Sequence, residues 1–222
     1  MSEQDKRPAA RRPKLRVAAE RRDYDDTFAL DPEIAEQRAQ LMTRVRHHPD
    51  PEVRYLAAAL LRGEPLLAEI ALGDADPRVR RAAILHLGDQ DLWVLGPILA
   101  CDPDVDVAML ALACVRAETP AGETLLTRTA LEHPQPAVRL EALLKKRWDR
   151  ETLAVRLLQS ETDHEVALKA LREVRDRAAL QALAKTLPNP TLRAAAVRRI
   201  ALLDQMRARD KPAGGKPPQD KA

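Results

Sequence analysis

Five histidines (His47, His48, His86, His133, His164) and two cysteines (Cys101, Cys114) are the side chains of this 222-residue chain that could ligate a soft metal ion. A zinc site is recognised by donors at short, characteristic spacings, C-x-x-C or H-E-x-x-H among them. Neither spacing occurs, so the histidines, three of them at turns (His48, His133, His164), are expected to be solvated turn residues. Serine occurs only at Ser2 and Ser160, which leaves no G-x-S-x-G nucleophile elbow. The seven glycines match neither G-x-G-x-x-G nor the phosphate-binding loop. The sequence therefore assigns no catalytic, cofactor-binding or metal-ligating residue and predicts a non-enzymatic protein.

The carboxylates and guanidinium groups that do recur fall in a pattern. Asp50-Pro51-Glu52-Val53-Arg54, Asp76-Pro77-Arg78-Val79-Arg80, Asp102-Pro103-Asp104-Val105-Asp106, Gln135-Pro136-Ala137-Val138-Arg139, Asp163-His164-Glu165-Val166-Ala167 and Asn189-Pro190-Thr191-Leu192-Arg193 read as one motif written six times, with anchors 26, 26, 33, 28 and 26 residues apart. Asp or Asn accepts from the unpaired amides of a helix's first turn, and Pro fits the next position, where no amide partner is needed. Each motif thus starts a helix, and its aspartate is a cap rather than a catalytic acid. One turn past the anchors stand Ala57, Ala83, Met109, Ala142, Ala170 and Ala196, small residues that let helices approach closely. Arg54, Arg80, Arg139 and Arg193 share one helix position and are expected to pair with an acidic turn residue of the same or the next unit.

Before each start lies a second apolar-periodic segment, at 33–46, 65–72, 92–100, 123–131, 151–159 and 177–186; the first is preceded by Asp31-Pro32. Each unit is a helical hairpin that buries its apolar face only by stacking on its neighbours. Aromatic residues make up 2% of the chain, so the core must be built from Leu, Ala and Val. Trp93 and Trp148, in or just before first helices, are expected in it.

These units resemble HEAT repeats of the phycobilisome-lyase type, whose second helix opens with D-P-x-V-R-x-x-A and often ends in L-G-D. Residues 76–89 are the nearest copy, and the resemblance spans about 31–206. It implies an all-α fold, a right-handed α-solenoid of about six hairpins whose second helices line a concave face. Asp106 and Ala167 stand where the pattern has arginine, which interrupts an arginine ladder.

Charge divides along the chain. Residues 1–22 carry +5, residues 23–136 carry −10, residues 137–206 carry +5 and residues 207–222 carry +3. The Pro- and Arg-rich segment 1–26 and the segment 207–222 are expected to be disordered basic tails flanking a solenoid at 27–206. Tyr24 and Phe28 are candidates to cover its open end. The longest apolar run, residues 107–115, falls far short of the ~20 needed to span a bilayer. With no apolar leader and two cysteines too far apart along a helix to bridge, the expectation is a cytoplasmic protein with reduced thiols and no membrane contact.

HEAT-like solenoids of this kind imply a scaffold that binds another protein through its concave face, here at Tyr55, Arg81, Leu85 and Val107. The alternative is nucleic-acid binding by the basic final repeats and tails. Its candidates are Lys145, Lys146, Arg147, Arg172, Arg175, Arg198 and Arg199, contacting backbone phosphates because aromatic residues for base stacking are scarce. The partner's identity and the oligomeric state are not legible.

Overall fold

The computed structural model describes residues 32–63, 65–87 and 92–209. The expected tails lie outside them except for residues 207–209, which continue the last helix; Tyr24, Phe28, Asp31 and the Gly88-Asp89 end of the L-G-D pattern lie outside as well. The described residues are all-α: α1 (Pro32–His47), α2 (Pro51–Leu60), α3 (Pro65–Gly73), α4 (Pro77–His86), α5 (Leu92–Cys101), α6 (Val105–Cys114), α7 (Pro120–Glu132), α8 (Pro136–Lys145), α9 (Arg150–Ser160), α10 (His164–Glu173), α11 (Arg177–Thr186) and α12 (Pro190–Arg209). Residues 32–37, the start of α1, group with an N-terminal unit, 1–37. The packing that follows is that of the second unit, from Arg38 onward.

From α3 onward each odd-numbered helix packs on the even-numbered helix after it, and the even helices from α2 to α12 pack each on the next even helix. The odd helices α3, α5, α7 and α9 do likewise. Two rows of helices thus enclose a continuous core of Leu, Ala, Val and Ile, among them Leu67, Leu112, Leu126, Leu143, Leu157 and Leu180. Each fully buried Leu contributes about 1.5–3 kcal/mol of burial free energy. The tryptophans do not join it: Trp93 is 62% and Trp148 49% exposed. On α5 the rows Val94/Ile98 and Leu95/Leu99 face the core, which turns Trp93 outward. Trp148 lies in the turn before α9.

The capping expectation holds at Asp50, Asp76 and Asp163, whose side chains accept from first-turn amides. In the third unit the cap is Asp104 and α6 starts at Val105, two residues later than the motif suggests. Two Asp residues flank Pro103, and the first of them, Asp102, has another role. The anchor of this unit is consequently Val107, fully buried, and its small residue is Ala111, also fully buried, rather than Met109. With this register the anchors lie 26, 28, 31, 28 and 26 residues apart, and all six small positions are alanine. Val107, predicted on a partner-binding face, is a core residue for this reason. The longest interval is absorbed at 116–122, where Thr119 caps α7. Gly122 packs so close to the Arg116 carbonyl that an added Cβ would come within 1.8 Å of its oxygen.

The role taken by Asp102 recurs. Arg54 grips Asp74 with Nε and Nη2 at 2.8 and 3.0 Å, Arg80 grips Asp102 with both at 2.8 Å, and Arg139 grips Glu161 in the same way. In each case the third nitrogen, Nη1, donates to the carbonyls of the two residues before the arginine's own helix cap, such as Asp74 and Ala75 for Arg80. Each carboxylate also accepts the backbone N–H of its own unit's cap residue, from Asp76, Asp104 and Asp163. The pairs are largely buried, Asp74, Asp102 and Glu161 nearly completely so. Every pair joins one unit to the next, which settles the same-or-next alternative.

Where the arginine is missing, the acid is missing too. Ala108 occupies the arginine position of the third unit and His133 the acid position of the turn that follows; Ala167 is followed likewise by Leu187. Removing one member of a buried pair strands the other, which costs about 3–5 kcal/mol, whereas deleting an N-cap costs about 1 kcal/mol. Asp102→Ala should therefore lower the urea-unfolding free energy about 3 kcal/mol, and Asp104→Ala about 1 kcal/mol. Equal effects, or the reverse order, would contradict this register.

Candidate functional site

Three of the four residues predicted to contact a protein partner converge. Tyr55 on α2 and Arg81 and Leu85 on α4 line one groove of about 400 Å³ together with Glu52, Arg78 and His86, over a floor of Ala59 and Ala82. Tyr55 is 37% and Leu85 61% exposed. Helix spacing places Arg78, Arg81 and Leu85 on adjacent turns of α4. Asp76 and Glu52 bind Arg78 at 3.0 and 3.2 Å, and Arg81 stands 3.9 Å from Asp106. The hydrogen bonds that its guanidinium donates to Asp76 raise the Arg78 pKa, and the same bonds, with the Arg78 amide, lower that of Asp76. The groove is an apolar slot with a rim of alternating charge.

The basic candidates separate into two groups. Arg172, Arg198 and Arg199 line a second groove, about 520 Å³, between α10 and α12, with Leu168, Leu171, Ala195 and Leu202. Among the described residues no carboxylate lines it. Arg199 is partly committed, donating from Nη2 to the Arg172 carbonyl at 2.7 Å. Arg175 lies outside that lining, exposed beyond the end of α10.

The run Lys145-Lys146-Arg147 is not a basic patch. Lys146 is buried, its Nζ 2.5 Å from Glu123 Oε2. Lys145 donates to the Ala113 carbonyl at 2.5 Å, and partial burial pushes its pKa down, against the charges of Cys114, Glu118 and Glu141. Arg147 alone keeps its side chain exposed, while its backbone N–H donates to Glu123. The charge count along the sequence could not see this use. Glu123 sits 23 residues before Lys146 on a first helix, and it binds the turn after α8, accepting from the Arg147 and Trp148 amides. Glu151 does the same for the Arg175 and Asp176 amides after α10. A recurring Glu near the start of a first helix was the signal available.

Two turn histidines take structural positions. His48 and His133 stand at the acid position of the ladder, each accepting a cap-residue amide at Nδ1, from Asp50 at 3.1 Å and Gln135 at 3.0 Å. His133 is buried, not solvated. Nδ1 accepts, so the neutral ring carries its proton on Nε2, which has no partner. Burial lowers the His133 pKa, and the charge of Arg139 adds to this. Among the described residues no cluster of His, Cys, Asp or Glu is arranged to hold a metal ion. Both cysteines are free, and burial raises the Cys114 pKa. No helix of the described residues is long and apolar enough to cross a membrane. Compared with family models, with curated proteins and with solved structures, the chain matches none.

Burial raises the pKa of Glu123 and of Glu161, but the hydrogen bonds each carboxylate accepts outweigh it, and both end below the ordinary glutamate value. Their stabilisation is complete above about pH 4.3, the unfolded value, and is lost as pH falls through the folded values. His133 is a base with a lowered pKa, so its contribution starts to be lost as pH falls below about 6.5. The urea midpoint should consequently fall in two stages on acidification. His133→Asn, which keeps an acceptor for the Gln135 amide, should remove the upper stage, and Glu161→Gln should shrink the lower one. An unchanged profile in either variant contradicts the assignment.

Proposed function

We propose that the chain is a HEAT-type scaffold, a right-handed α-solenoid of about six hairpins spanning residues 27–206, that holds another protein against its row of second helices. The recurring motif, at the helix start in five units and two residues ahead of it in the third, supports the family reading, and the packing of each even helix on the next supports a stacked repeat. The observation that carries the binding reading is the groove between α2 and α4. There Tyr55 and Leu85 stand exposed beside a charged rim, in a chain whose other recurrent side chains serve its own packing. An aromatic ring and a leucine within a charged border match the anchor-and-rim anatomy of protein interfaces. A non-catalytic, cytoplasmic role fits this reading.

Affinity purification from a cell extract with quantitative mass spectrometry tests it. A protein recovered with the unaltered chain should fall at least about tenfold with the Tyr55→Glu/Leu85→Glu variant, provided that circular dichroism shows the variant folded. An identical set of recovered proteins from both chains would refute the groove as the binding site.

One specific observation favours the nucleic-acid alternative: Arg172 and Arg198 line a groove in which no carboxylate stands among the described residues. Two or three phosphate contacts would give a shallow salt dependence, about 0.9 log units of affinity per contact for each tenfold change in salt. Duplex DNA titrated at low and high salt should bind with that slope and lose it in Arg172→Glu/Arg198→Glu. Absence of binding at low salt removes the reading.

A further inference from the structure

The ladder leaves one rung open. Arg193 on α12 occupies the position of Arg54, Arg80 and Arg139, and its Nη1 donates to the Leu187 and Pro188 carbonyls at 2.7 and 3.0 Å as theirs do to the corresponding pair. The guanidinium is therefore held in the ladder geometry. Its Nε and Nη2, which in the other three units grip the carboxylate of the next turn, meet no carboxylate among the described residues.

An apolar position tells the same story. Five residues past the anchors stand Ala58, Ile84, Leu112, Leu143, Leu171 and Val197. The first five are buried; Val197 is 56% exposed. An arginine fork left without its carboxylate and an adjacent apolar side chain left exposed thus occur together on α12.

We infer that this end is a docking site for an acidic turn of a partner protein, an Asp or Glu leading into a capped helix, which would complete the rung on Arg193 and cover Val197. The occupant's chemistry follows from the three rungs within the chain, where the fork takes a planar carboxylate at two points, a match that favours arginine over a point charge. A second copy stacked in the same register does not fit, because it would bring His48 opposite Arg193. An imidazole whose Nδ1 already accepts from Asp50 cannot receive two parallel N–H donors. Residues 210–222 do not fit either. The three rungs find their acid 20 or 22 residues past the arginine (Asp74, Asp102, Glu161), and the stretch at that distance from Arg193 is Ala213-Gly214-Gly215, with Ala213 and Ala222 the only apolar side chains of the segment apart from prolines. A nucleic-acid phosphate would satisfy the fork but leave Val197 uncovered.

The site is separate from the groove at Tyr55 and Leu85. The probe is a labelled peptide of residues 65–87, the chain's own α3–α4 hairpin with its Asp74 turn, titrated with the full chain and followed by fluorescence anisotropy. Saturable binding is expected, weakened about tenfold or more by Arg193→Gln, by Val197→Asp and by Asp74→Asn in the peptide, with Tyr55→Glu/Leu85→Glu without effect. Arg193→Lys, which keeps the charge and loses the fork, should also weaken it, and thermal melts of each variant separate binding from folding. No binding, or binding indifferent to Arg193→Gln and Val197→Asp, overturns the inference. So does a chain truncated after Arg209 that binds tenfold more tightly than the full chain, since the tail would then be the occupant. Duplex DNA bound with the same Arg193 dependence would reassign the fork to phosphate and overturn it as well.

Discussion

A single charge-assisted contact sets how one hairpin sits on the next: a guanidinium on a second helix, forked onto a carboxylate in the following turn. It joins three things that drift apart in an unfolded chain. Nη1 fixes the arginine to the carbonyls that lead into its own helix, Nε and Nη2 reach across to the next unit, and the carboxylate turns back to hold that unit's cap amide. Desolvating two charges is expensive, and the pair offsets that cost only because nearly every lone pair and proton finds a partner. Satisfying all of them at once requires one register. The contact therefore contributes specificity of stacking beyond whatever net stability it adds.

The units without it show what else can do the work. Between the third and fourth units Ala108 is buried where an arginine would stand, and His133 holds the cap amide that a carboxylate holds elsewhere. An imidazole can accept one amide but cannot take a fork, so the substitution on one side fits the substitution on the other. At Ala167 and Leu187 both sides are apolar and the contact becomes ordinary burial. The back half adds another device, with Glu123 and Glu151 reaching from first helices to the amides that follow the second helices. The stack is thus held by several interchangeable devices at its turns: a forked carboxylate, an imidazole acceptor, plain burial and a glutamate from the first helix.

Periodicity made the helices legible, because Asp-Pro and Asn-Pro starts and apolar spacing are local signals, and the first helices end within three residues of where the sequence places them. The error in the third unit was also local. Asp102-Pro103-Asp104 offers two caps, and only the long-range demand of Arg80 for a carboxylate chooses between them. The misplaced anchor then carried Val107 onto the wrong face. Lys146 was misread for a related reason: its partner lies 23 residues away, on a helix whose facing depends on packing. The convergence of Tyr55, Arg81 and Leu85 was readable, since 26-residue repeats bring equivalent helix positions side by side.

Charge in this chain must accordingly be divided by use before it says anything about partners. The arginines at the motif position point inward and are neutralised by design of the repeat, so their number does not measure affinity for phosphate or for acidic proteins. The side chains left to face outward are those off the motif, Arg81 beside Tyr55 and Arg172 and Arg198 beside apolar floors. Arg193 is the exception that follows from the rule. It is built as an internal residue and stands at a position where, among the described residues, no further unit follows. A repeat that satisfies its polar groups by borrowing from the next unit leaves the last described one with an unmet demand, and the geometry of that demand is the same as that of the contact on which the stack depends.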